Sequence, residues 1–154
     1  MKQSKIKNVV LASIAVIAIA ALPSCKPKNV STATSGDAAK KAYVAPGKYD
    51  EFYNIVSGGF SGQMSIYGLP SGRLFRVIPV FSVDPEKGYG YSEETKAMLN
   101  TSHGFVPWDD LHHIALTLTN GEHDGRWAFG NANNTPRIAR IDLKTFKTAE
   151  IIEI

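Results

Sequence analysis

Ile114-Ala115-Leu116-Thr117-Leu118-Thr119 alternates apolar and polar side chains, the period of a half-buried strand. The turn-forming run Asn120-Gly121-Glu122-His123-Asp124-Gly125 then reverses the chain into a second strand over residues 126–129. A loop over residues 131–136 leads to a third strand, residues 137–143, with Ile138, Ala139, Ile141 and Leu143 at the apolar positions. Lys144-Thr145 makes a tight turn into a fourth strand, residues 147–154. Four short antiparallel strands at this spacing describe one blade of a β-propeller. A β-sandwich is the other reading, because strand counts alone do not separate the two.

Upstream, residues 43–82 carry repeated turn signals: Pro46-Gly47, Gly58-Gly59 and Leu69-Pro70-Ser71-Gly72. Between them lie β-prone stretches at 63–67 and 74–81. Residues 84–108 read as loop, interrupted by a short helix over 92–99 with Ser92 as its cap and Thr95 at the third position. The expected fold class is therefore all-β: a partial β-propeller of about one four-stranded blade plus an N-terminal partial element. One blade cannot bury both of its faces alone. The sequence also stops inside the apolar run Ile151-Ile152-Glu153-Ile154, so the expectation is the front end of a longer polypeptide.

The 154 residues are 44% hydrophobic and 20% charged, an ordinary balance for one globular domain or a piece of one. A net charge of +3, partly from lysines near the N-terminus, predicts no nucleic-acid-binding patch. Lys2, Lys5 and Lys7 precede an apolar stretch over residues 9–22 that is short for a bilayer span, which reads as an export signal. It ends at Leu22-Pro23-Ser24-Cys25, similar to a bacterial lipobox, although Pro23 departs from the favoured pattern. The alternative is an ordinary signal peptide followed by a chance cysteine. Lipidation of Cys25, the only cysteine, would tether the mature chain to a membrane outside the cytoplasm. The organisation expected is a signal over residues 1–25, a flexible tether over 26–42, and a folded part over 43–154.

His112 and His113 sit between the acidic pair Asp109-Asp110 and the first strand. Neutral imidazole is a preferred ligand for copper, zinc and iron. Neighbouring side chains on an ideal strand point to opposite faces. A shared metal therefore requires irregular backbone where the strand begins, which Gly104 and Pro107 upstream allow. The competing reading is a surface histidine pair. Asp110 is a candidate to hydrogen-bond or supply a proton to the His112 ring, or else a solvated loop carboxylate. Asp109 is expected to face solvent. His103 and His123 read as exposed loop residues, Trp108 as a loop anchor and Trp127 as strand packing. Arg126, Arg137 and Arg140 are expected to make structural pairs between strands instead of binding an anion, and Tyr89-Gly90-Tyr91 reads as a mobile loop without a catalytic role.

The stretches Gly72-Arg-Leu-Phe-Arg-Val-Ile-Pro-Val-Phe81, Asp110-Leu-His-His113 and Asp124-Gly-Arg-Trp-Ala-Phe129, followed by Asn133 and Arg137-Ile-Ala-Arg140, resemble nitrous oxide reductase. The resemblance runs from about Tyr43 to Ile154, and the export signal and the Asp-Leu-His-His form look most like the family's second, Sec-exported branch. It implies a seven-bladed propeller holding a tetranuclear copper–sulfide cluster with seven histidine ligands. A C-terminal cupredoxin domain with a binuclear copper would follow, and calcium is a further family trait. The implied reaction is two-electron reduction of nitrous oxide to dinitrogen and water in the periplasm, a step of denitrification. A c-type cytochrome or another periplasmic or membrane donor would supply the electrons to a homodimer. Of the cluster ligands, only His112 and His113 match in this chain; the others are expected from later blades. Two other classes stay open: a membrane-tethered propeller lipoprotein that binds a partner without catalysis, and a mononuclear copper or zinc lipoprotein using His112, His113 and a carboxylate.

Overall fold

Met64 and Ile66 alternate with Gln63, Ser65 and Tyr67, and burial follows the same alternation. This strand, β2 (Gln63–Leu69), is the centre of a three-stranded antiparallel sheet between β1 (Phe52–Ser57) and β3 (Leu74–Pro79). The computed structural model describes residues 35–154, of which 38–154 form one compact unit. A helix, α1 (Ser35–Ala42), falls within the stretch read from sequence as a tether. The export signal and Cys25 lie outside the described residues.

The second sheet is four-stranded and antiparallel, in the order β6 (Leu111–Thr119), β7 (Glu122–Ala132), β8 (Arg137–Asp142), β9 (Lys147–Glu153). It stacks on the first through one shared core. Met64, Ile66, Ile78, Val80 and Phe81 from the β1–β3 side meet Leu111, Ala128, Ala139 and Ile141. β1 lies against β6 and β3 against β9, so the edges of the two sheets run in the same order. That is how neighbouring propeller blades stack, and the all-β, partial-propeller expectation stands. Backbone bridges Gly59↔Leu111 and Ser82↔Trp108 join the sheets near the start of β6. The Thr148 hydroxyl donates to the Pro79 carbonyl at 2.6 Å and closes the opposite edge.

The segment between the sheets holds α2 (Glu93–Met98), capped as expected: the Ser92 hydroxyl accepts from the Thr95 amide at 3.2 Å. It also holds a small hairpin, β4 (Asn100–Thr101) with β5 (Gly104–Phe105), which the sequence did not signal. β1 was missed for a physical reason. It is an edge strand whose side chains are mostly exposed, so its polarity carries little period. β7 begins four residues before the expected 126, because Asn120 (φ +53°) and Gly121 (φ +86°) make a two-residue turn with both central residues left-handed. Residues 122–125, read as loop, continue the strand instead.

Candidate metal centre

The histidine doublet lies inside β6, where the strand is irregular. Leu111 pairs with Ala132 and His112 with Asn131, but the next partners are Ala115 and Phe129. β6 thus spends three residues where β7 spends two, which defines a β-bulge. His113 is the extra residue, at φ +47°. The bulge leaves Leu111, Ile114 and Leu116 in contact with the shared core. It also brings the imidazole centroids of His112 and His113 to 5.8 Å, with ring planes at 45°. Opposite-facing neighbours on a regular strand would not approach so closely. His113 lines a shallow pocket with Phe129, Asn131 and Ile138, on the sheet face away from the core.

Asp110 stands beside this pair, its Oδ2 3.4 Å from His112 Nε2, a long contact. Its other oxygen, Oδ1, is buried and has no partner among the described residues. A buried, orphaned carboxylate oxygen is costly unless something polar or cationic completes it. Two imidazoles and one such oxygen fit as part of a metal site. They do not make a whole one: among the described residues no group of three or more His, Cys, Asp or Glu could hold a metal ion.

Asp109 reverses the expectation of a solvent-facing carboxylate: it is only 1% exposed. Its carboxylate accepts hydrogen bonds from the Asp110 amide, the Asn134 amide and side chain, the Thr135 hydroxyl and the Arg137 guanidinium. Burial alone would raise its pKa. The hydrogen bonds from Thr135, Asn134 and Arg137 outweigh that and hold it below the ordinary carboxylate value. No local sequence signal exposes this role, because it depends on a partner buried 28 residues further on. Arg137 is itself fully enclosed, stacked on Phe81 with its guanidinium carbon 5.0 Å from the ring centroid.

The remaining candidates are scattered. His103 and His123 are exposed, as expected. Trp108 anchors its loop, with Nε1 donating to the Phe60 carbonyl at 2.8 Å and its ring against Phe60. Trp127 packs on its strand between the guanidinium carbons of Arg126 and Arg140, 3.8 and 4.5 Å from its ring centroid. Arg126 pairs with Asp142 and Arg140 with Glu150, both between adjacent strands. Arg137 departs from this pattern, since its partner Asp109 precedes the sheet. Tyr89, in the segment read as a mobile loop, is tied to its surroundings. Its backbone bonds Asp84 in both directions, its hydroxyl donates to the Val80 carbonyl at 2.8 Å, and burial pushes its phenol up to about 12.

The chain is 37% identical over 122 residues to the nitrous-oxide reductase of Pseudomonas fluorescens, covering 79% of this chain and 19% of that protein. It is 36% identical over 115 residues to that of Stutzerimonas stutzeri, covering 75% of this chain and 18% of the relative. Over the stretch it covers, this chain belongs to the nitrous-oxide reductase family. The Ralstonia nicotianae nitrous-oxide reductase matches at 32% over 155 residues, 92% of this chain and 24% of its own length. The chain therefore spans roughly a fifth of the nitrous-oxide reductases it matches. No protein-family model matches it.

Proposed function

We propose that this chain is the N-terminal part of a copper-dependent nitrous-oxide reductase, and that His112 and His113 supply two ligands of its tetranuclear copper–sulfide cluster. The observation that carries the reading is the bulge at His113, which sets two imidazoles on one side of β6 next to an orphaned carboxylate oxygen. Kinship with three nitrous-oxide reductases at 32–37% identity supports the substrate and the reaction class.

Bound copper would supply electrons and share the negative charge that develops on the departing oxygen of nitrous oxide. The chain's own residues orient the site. The bulge aims the two rings, and Asp110, 3.4 Å from His112 Nε2, would orient that ring and favour the tautomer whose other nitrogen is free to bind a metal. The other cluster ligands, and the binuclear copper that receives electrons from a c-type cytochrome or similar donor, belong in this reading to residues beyond this chain. So do the homodimer contacts and any calcium. The export signal and Cys25 support work in the periplasm, with lipid anchoring through that cysteine.

The test replaces His112 and His113 by Ala, singly and together, in the full-length protein that carries this segment. Copper per chain and nitrous-oxide consumption are both expected to fall, with the far-ultraviolet dichroism of the fold retained. Undiminished copper content in the double variant would refute the assignment of His112 and His113 as ligands.

A further inference from the structure

We propose that Asp109 is a positioning residue for the imidazole pair: it locks the bulge that places both rings on one side of β6. The inference deepens the ligand reading of His112 and His113 and rests on it for its significance. Asp109 touches neither ring. Its Oδ1 accepts from the Asp110 amide at 2.8 Å, the Asn134 amide at 2.9 Å and the Asn134 side chain at 2.8 Å. Its Oδ2 accepts from the Thr135 hydroxyl and, at 3.4 Å, from Arg137. The Asp109 amide donates to the Phe81 carbonyl at 2.7 Å, the Leu111 amide to Gly59 at 3.0 Å, and the Asn133 amide to the Asp110 carbonyl at 3.1 Å. Residues 109–111 are therefore gripped by the first sheet on one side and by the loop joining β7 to β8 on the other.

That grip ends one residue before the doublet. His113 at φ +47° is a left-handed backbone that a non-glycine residue holds only when its surroundings over-determine it. A strand sheds a bulge by slipping one residue, and the slip sends a side chain to the opposite face. Here residues 109–111 are pinned before the bulge, and Ala115 is pinned to Phe129 after it. The number of residues between these anchors is fixed, so the rings cannot separate while the clamp holds. Asn134 and Thr135 also follow directly on β7, so the same carboxylate keeps Asn131, the partner of His112, in register.

The readout needs no metal. In the wild-type full chain, nuclear magnetic resonance should show contacts between the ring protons of His112 and His113. Asp109→Asn keeps the shape and removes the charge; the ring contacts should weaken several-fold while amide contacts between β8 and β9 persist. Should that variant fail to fold, Asp109→Leu paired with Arg137→Met removes both charges together, and the same loss is expected. Unchanged ring contacts in the variant that folds overturn the proposal. A copper(II) titration of the same proteins tests the ligand reading separately. A loss of about tenfold in affinity is expected for Asp109→Asn. Wild-type chain that binds copper no tighter than the His112→Ala/His113→Ala variant would sink the ligand reading, while the ring contacts still judge Asp109.

Discussion

Asp109 and Arg137 have side chains 1% and 0% exposed, so removing Asp109 leaves a buried guanidinium without its carboxylate. Asp109→Ala strands a buried guanidinium and should cost about 3–5 kcal/mol, read as a lower urea midpoint. The same pair sets a pH dependence. The folded-state pKa of Asp109 lies below its unfolded value, so its contribution is complete above the ordinary carboxyl range. It is lost as pH falls from that range through the depressed folded value. The acid limb of the stability profile should be shallower in the Asp109→Leu/Arg137→Met pair than in wild type; identical limbs would contradict the depressed value. His113 offers a second check. At φ +47°, Val should be less stable than Gly in its place by about 1–2 kcal/mol, because a β-branched side chain tolerates left-handed backbone worst. Equal denaturant midpoints for the two variants would mean that the bulge does not persist.

The turn between β1 and β2 shows how an element transmits position to the site. Gly59 and Gly62 both have positive φ, +55° and +66°. A methyl on Gly59 would meet nothing within 4 Å, whereas on Gly62 it would lie 2.7 Å from the Asp109 carbonyl and 2.9 Å from that of Phe81. Gly59→Ala should therefore cost only the backbone strain, about 1 kcal/mol. Gly62→Ala adds about 1–3 kcal/mol of overpacking against backbone that cannot move aside. Thermal midpoints of the two variants should rank in that order, and the reverse ranking would show that the 109–111 segment is not held there. The β6–β7 reversal was legible in the run from Asn120 to Gly125, yet the two-residue turn and the strand boundary were not. Continuation of β7 through Glu122 depends on pairing with Leu118 and Thr119 across the hairpin.

Across the whole molecule, the two sheets share one core on one side of the four-stranded sheet. The other side carries Trp127, Phe129, Ile138 and Arg140 half-buried, with the histidine pair at one end. Two imidazoles and one carboxylate cannot complete a polynuclear centre, so the purified chain given copper and a reductant should consume no nitrous oxide. Measured turnover by these 154 residues alone would overturn the view that the centre is shared with residues outside them.

The all-β class, the four strands of the second sheet, the Ser92 cap and the candidate doublet were legible because period, turn chemistry and imidazole are local properties of the chain. Three things were decided only when the chain folded: the stacking of two sheets edge to matching edge, the burial of Asp109, and the extra residue at His113. Each depends on contacts between segments far apart in sequence, and a carboxylate reads as a surface group until a buried guanidinium from 28 residues away meets it.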